Sequence, residues 1–501
     1  MGLLKNSFKE TNNSIQAFWV ALGSLSSMAV GIVSAAILSR YFDKTDYGTY
    51  KQVLYIYSTL LVVFSAGLPR VFSYFLPRYN LEEGKTIVKK VNRVLFLAGL
   101  TFSIFLFLFS DIISNLLRNP DLSYALKVFS PIPMLLLPTL GIEGIFSTYK
   151  KTIYIAIYNV ISRILTVSLI VIPVIILEGS YISAIYGWLV ASFLTFIMAY
   201  FFKGIPFKKV SSIETSLNYK EIFAYSLPLV GASIWGISAK AANEFYISRY
   251  FGTDVFAEFS NGFIELPFVA MVTSSASIVL MPIFSKVFHE NKGVKELVEI
   301  WRSTLNKSSK IIYPLLIFFI VFASEVMVLL YSQKYEQSGV YFRINLFLNF
   351  FNIILFAPLF LAMGKTNLYA RVHMVLAIVI WISDYALVHL FNSPLVIAFN
   401  STFLSILKII YFLYLASYLL EIKMLYLFPV KRLLLIMFHG VLIVSVVKTV
   451  QIFLLLSLPL FLQILICGTL YVSLLLVSGK LFKIDYFNVV QPILKLIKDK
   501  K

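Results

Sequence analysis

The chain has 501 residues, 59% of them apolar and only 13% charged, with a mean hydropathy of +0.86. Soluble domains carry about 25% charged residues, so a soluble globular protein is excluded. The 43 Lys and Arg against 24 Asp and Glu leave a net charge of +19, which in a soluble chain would suggest nucleic acid, and the placement of the cations decides what it means here.

The N-terminus, MGLLKNSFKETNNS, runs into an apolar segment too long for a signal-peptide core and without an A-x-A site, and reads as an uncleaved span. A membrane helix needs about 20 apolar residues. Such runs fall at 15–38, 48–77, 94–117, 124–148, 152–177, 181–202 and 221–249, then at 255–284, 308–331, 338–363, 366–390, 394–418, 433–456 and 459–479. They predict an all-α polytopic membrane protein of about 14 helices with no large domain outside the bilayer.

Assigning every Lys and Arg to alternate sides places thirty of the 43 on one side. These lie in the N-terminus, in the loops around 78–93, 150–151, 203–220, 286–310, 365–371 and 423–432, and in the tail from Lys480. Eight fall on the other side, Arg40, Lys51 and Arg343 among them, and five lie within the apolar runs. Because cytoplasmic loops retain positive charge, this predicts a multi-pass membrane protein with both termini in the cytoplasm. The nucleic-acid reading falls with it. The tail sets Lys495, Lys498, Lys500 and Lys501 beside Ile493, Leu494, Leu496 and Ile497, a pattern for anionic headgroups or for a solvated end.

An internal repeat appears at an offset of 209. Ser39-Arg40-Tyr41-Phe42 returns as Ser248-Arg249-Tyr250-Phe251, Gly84 as Gly293 and Arg93 as Arg302. A shared register at matching topological positions predicts two six-helix lobes, 1–202 and 221–418, joined by a cytoplasmic linker 203–220 and followed by a helix pair and basic tail, 419–501.

Cys467 is the single cysteine, and His289, His373, His389 and His439 are scattered, so neither a disulfide framework nor a metal site is expected. P-loop, G-x-S-x-G, H-E-x-x-H and G-x-G-x-x-G patterns are missing, and no enzyme activity is expected. The informative residues are ionisable groups in apolar helices, which cost several kcal/mol in lipid unless turned to a cavity or partner. Four cations stand out. Arg163 lies near the middle of its span, Lys240 precedes Glu244 by one helical turn, Lys408 is far from either surface, and Arg70 follows Gly67-Leu68-Pro69, where the helix should break. Together they read as a cationic cavity for an anionic substrate, phosphate or pyrophosphate being the natural partner of guanidinium. Each would equally serve an internal ion pair or a lipid headgroup contact. Lys448, near the end of a later span, reads as a snorkelling lysine. The carboxylates Glu143, Glu244, Glu265, Glu325 and Asp384 are candidates for coupling to H+ or Na+, since burial raises and nearby cations lower proton affinity.

The stretches ILSRYFDKTDYGTYKQV (37–53), SAGLPRVFSYFLPRYN (65–80) and KEIFAYSLPLVGASIWG (220–236), set in fourteen predicted spans, resemble the Wzx-type polysaccharide flippases of the multidrug/oligosaccharidyl-lipid/polysaccharide exporter superfamily. The resemblance implies two six-helix lobes in a V-shaped, pseudo-symmetric, alternating-access arrangement. It also implies a substrate: oligosaccharide repeat units on undecaprenyl pyrophosphate, moved from the cytoplasmic to the outer leaflet for O-antigen, capsule or exopolysaccharide assembly, with other polysaccharide-assembly proteins as partners. The lipid II flippase branch carries several arginines in helices 1 and 2, whereas helix 1 here has no charge between Glu10 and Arg40, which disfavours that branch. The alternatives are a cation-coupled drug or metabolite exporter of the same superfamily and, more remotely, a membrane polymerase or glycosyltransferase, for which the short loops leave no room.

Overall fold

The computed structural model describes residues 31–208, 210–290 and 293–486. The first predicted span up to residue 30 and the basic tail from residue 487 lie outside the described residues. Every regular element among the described residues is helical, as lipid requires of a chain that must satisfy its own backbone groups. Eleven helices are long and apolar enough to cross a membrane, or twelve if the pair Tyr219–Gly231 and Ser233–Gly262, bent by 41°, counts as one span. The fourteen expected spans are therefore not reproduced, for two reasons. Most of the first falls outside the described residues, and 338–363 is no continuous helix: Ser338–Leu348 and Ala357–Ala362 are separated by irregular backbone.

Contacts divide the chain into two compact units at residues 257 and 258. In the first, Lys44–Ser65 starts at Asp43, whose carboxylate accepts from the Asp46 amide at 2.7 Å, an N-cap that satisfies an orphan donor. It ends where Ala66 and Gly67 turn left-handed, at φ 49° and 67°, and Pro69 opens the next helix, Pro69–Phe75. This is the break expected from Gly67-Leu68-Pro69. Behind it Leu68, Val71, Phe72 and Phe75 pack against Ile87, Val91 and Ile222 in a buried cluster.

The helix Leu81–Leu117 has 37 residues, about 55 Å at 1.5 Å each, well beyond the ~30 Å of hydrocarbon. Its charges suggested a loop over 79–93, but residues 81–93 are helical. Asn80 accepts from the Glu83 amide at 2.8 Å, and Glu82 and Glu83 occupy the positive end of the helix dipole. Ile153–Ile176 and Tyr181–Gly204 pack so closely that a Cβ on Gly187 would stand 1.9 Å from the Leu169 carbonyl oxygen, the use of small residues common between membrane helices.

The two copies of the repeated element meet inside this unit. Thr45 Oγ1 donates to Asp254 Oδ1 at 2.7 Å across a separation of 209 residues, the repeat offset itself. Gln52 Nε2 donates to Ser248 Oγ at 2.7 Å, and Gln52 Oε1 accepts from Asn119 Nδ2 at 2.6 Å. A residue bonded to its own repeat counterpart is what a two-fold relation between copies produces at its axis.

In the second unit Val294–Val321 is followed at once by Ala323–Tyr331. Arg343 closes the junction, donating to the Ile320 carbonyl at 3.1 Å and to Ser324 Oγ at 3.0 Å, as basic groups do at helix C-termini. Arg343 is thus a structural donor, although its place among the loop cations gave no sign of it. Val430–Val450 and Leu460–Ser478 are tied in by Tyr471, whose hydroxyl donates to the Pro314 carbonyl at 3.1 Å, and by buried His439. The His439 ring nitrogens sit 2.9 Å from Tyr486 Oη and 2.8 Å from Ser478 Oγ. Lys448 does not snorkel: it forms an ion pair with Glu325 and lies over the Phe322 ring at 4.7 Å, because an internal carboxylate is within its reach.

Candidate functional site

The first unit contains a cavity of ≈ 780 Å³, within the range of ligand sites. One wall is the Lys44–Ser65 helix, which presents Tyr50, Lys51, Leu54, Tyr57 and Leu61 on one face, the three- and four-residue spacing of a helical stripe. A second is Ile153–Ile176, presenting Tyr158, Asn159, Ser162, Arg163, Thr166 and Ile170. Trp188 contributes an aromatic surface and packs edge-on against Tyr57 (6.1 Å) and Phe129 (5.1 Å).

Two broken helices complete it. The first break points Arg70 and Ser73 into the cavity; the second, around Leu137–Thr139 and Gly141, brings Thr139, Leu140 and Glu143 to it. Gly141 has φ 85°, and a Cβ there would strike the Phe72 ring at 2.2 Å, so both conformation and packing require glycine. Irregular backbone at membrane depth is tolerated where it is buried or lines a cavity. Lys203 holds this second break. Its ammonium donates to Asn92 Oδ1 (2.8 Å), the Pro138 carbonyl (2.8 Å) and the Leu140 carbonyl (2.6 Å), and lies 5.0 Å from the Phe72 centroid. All three donors of the side chain are used.

The structure thus brings Arg70, Arg163 and Glu143 together and adds Lys51. Three cations face one carboxylate, and Asn159 Nδ2 stands 3.5 Å from Glu143 Oε1. Lys240 is not a lining residue, but it and Glu244 both interact electrostatically with Lys51, forming a charged cluster behind the wall. Lys408 belongs to the second unit, where it acts electrostatically on His373. Among the carboxylates, Glu325 is taken by Lys448. Asp384 is fully buried: Oδ1 accepts from Asn400 at 2.7 Å, Asn400 also donates to Ser383 Oγ at 2.7 Å, and Oδ2 has no hydrogen-bond partner among the described residues. Glu265 lines a separate cleft in the second unit.

Lys51 escaped the sequence reading because it stands at the edge of an apolar run and counts there as a loop cation. The signal that could have found it is the aromatic and polar stripe it shares with Tyr50 and Tyr57. The same holds for Asn159 and Thr166, which lie four residues before and three after Arg163 on an otherwise apolar helix.

The cavity can hold a large anion. Positive charge exceeds negative by two among its lining side chains, and desolvated cations favour phosphate oxygens, while the Tyr50, Tyr57 and Trp188 surfaces suit apolar or ring-shaped groups. No curated protein matches the chain. Among solved structures, the lipid II flippase MurJ in an inward closed conformation is similar with a TM-score of 0.68 at 15% identity, covering 92% of this chain and 98% of that one. A multidrug resistance MATE family transporter of the MOP superfamily, inward-facing, gives 0.64 at 12% identity over 79% and 94%. A MOP superfamily transporter from Pyrococcus furiosus gives 0.58 at 12% over 81% and 94%. At these identities the likeness establishes the fold, that of MOP-superfamily transporters in a multi-pass membrane protein. The family described as polysaccharide biosynthesis protein matches residues 37–339, more than half of the chain and all of the cavity helices from Lys44 onward, and the chain belongs to that family.

Proposed function

We propose that the protein is a flippase that moves undecaprenyl-pyrophosphate-linked oligosaccharide repeat units from the cytoplasmic to the outer leaflet of the bacterial inner or plasma membrane, by alternating access, for polysaccharide assembly. The observation that carries this reading is the cavity holding Lys51, Arg70 and Arg163 against the single carboxylate Glu143. A pyrophosphate carries the charge and the acceptor oxygens that suit a cationic cavity, and the aromatic wall offers a surface for sugar rings or the first part of a lipid chain. Family membership supports the pathway. The cation distribution of the sequence supports cytoplasmic termini.

Purified protein in liposomes is expected to move a fluorescent undecaprenyl-pyrophosphate oligosaccharide between leaflets. Ethidium efflux without such movement would instead establish the drug-exporter alternative. Coupling to H+ or Na+ is the second part of the proposal, and Asp384 is its best-supported carrier: a buried carboxylate with one oxygen unpartnered can take a proton or a monovalent cation. Asp384→Asn is expected to leave flipping detectable but unresponsive to either gradient. A variant that responds as wild type does removes Asp384 from coupling.

A further inference from the structure

The second unit contains a cleft of ≈ 370 Å³ that the cavity chemistry does not use. It forms where two helices are interrupted side by side. On one side, Gly262 ends a long helix and Pro267 begins the next, leaving Ile264 and Glu265 outside any helix. On the other, Ser338–Leu348 stops and irregular backbone runs to Phe356 before Ala357–Ala362 begins. Asn345 ties the two, its Nδ2 donating to the Ile264 carbonyl at 2.7 Å. The backbone of both interruptions is largely paired, so it is the polar side chains lining the cleft that call for a polar occupant.

The polar lining is Glu265, Thr273, Ser274, Asn345, Asn349 and Asn352. Thr273 and Ser274 spend their hydroxyl protons on carbonyls of their own helix, which leaves them as acceptors. Asn345 and Asn349 are each only 6% exposed. The side-chain amides of Asn349 and Asn352 bond to no protein group among the described residues. Leu266, Val269, Leu348 and Leu355 supply the apolar remainder.

We infer that this cleft binds a sugar residue of the transported glycan through its hydroxyls, with Asn349, Asn352 and Glu265 as the recognising groups; the inference rests on the flippase reading above. The lining oxygens could serve a metal ion too, but an ion would leave the two amide NH2 groups unused, whereas a sugar uses them. A cation is held by oxygen acceptors alone, closely gathered, whereas two unpartnered amides offer NH2 donors as well as carbonyl acceptors. A hydroxyl both gives and takes a hydrogen bond, so amide pairs with a carboxylate match a polyol. The leucine and valine side chains suit the C–H face of a pyranose. The cleft volume fits a ring and is wasteful for a bare ion.

The test compares two lipids in proteoliposomes of the full chain: undecaprenyl pyrophosphate alone, and undecaprenyl pyrophosphate carrying the repeat unit extracted from the producing cells. Wild-type protein is expected to move the glycan-bearing lipid faster. Asn352→Ala and, independently, the shape-conserving Glu265→Gln are expected to lower that preference by about tenfold each, as loss of a substrate hydrogen bond does, with the rate for the bare lipid unchanged. If both variants keep the wild-type preference while wild type moves both lipids, the sugar site is overturned and the flippase reading stands. If wild type moves neither lipid, the flippase reading falls and takes the site with it. If the variants change only the sodium dependence, equally for both lipids, the cleft is a cation site and the inference is wrong.

Discussion

Arg163→Ala is expected to slow flipping of the lipid-linked oligosaccharide by about ten- to a hundredfold, and Arg70→Ala/Arg163→Ala by more, with expression and membrane insertion unchanged. The cavity carries three cations against one carboxylate, and each charge-assisted bond to a phosphate oxygen is worth about 1.5–3 kcal/mol, a factor of roughly ten to a hundred at 1.4 kcal/mol per decade. Insertion should survive because deleting a membrane charge lowers the cost of the span. Arg163→Lys should recover part of the rate, since ammonium keeps the charge but not the bidentate fork. Full complementation of a flippase-deficient strain by the double variant would remove both arginines from the substrate path.

Lys203→Met is expected to destabilise the folded protein by about 2–3 kcal/mol, the scale of leaving buried neutral acceptors without their donor. Methionine keeps the length and apolar stem, so what is lost is the ammonium and its three bonds, to Asn92, Pro138 and Leu140. Three acceptors are then orphaned, two of them carbonyls of the break that carries Glu143 into the cavity. The prediction is a lower thermal midpoint in detergent, read by intrinsic fluorescence, and a flipping defect partly rescued by lipids that stabilise the fold. An unchanged midpoint would mean that water replaces the ammonium and that the break holds itself.

Both residues show where the sequence is legible. Arg163 and Glu143 declare themselves because a charge in an apolar run is costly, so the same arithmetic that finds a membrane helix finds its exceptions. Lys203 is equally charged but sits at the end of its span, where counting by position makes it a loop cation; only the fold reveals that it turns inward. The amides of Asn345, Asn349 and Asn352 carry no charge, so a scan for charges passes over them. Element type followed hydropathy well, and continuity did not. Residues 81–93 look like a loop by charge and are helix because Asn80 caps them. The run 338–363 looks like a helix by hydropathy and is broken where Tyr313 donates to the Phe350 carbonyl at 2.7 Å. Hydropathy reports the surrounding solvent; it does not report which backbone groups find partners elsewhere.

The ion pair between Lys448 and Glu325 bears on how the chain is made. The ribosome delivers Glu325 first and its counter-charge 123 residues later, so for that interval the membrane holds a carboxylate without its cation. A lysine at the centre of a membrane helix costs about 2.5–3.5 kcal/mol on insertion, and one in the last turn, as Lys448 is, costs less. Glu325 waiting in the bilayer lowers that cost for the Val430–Val450 helix and gives it a specific place to dock. The last hairpin is thus recruited by a helix made long before it.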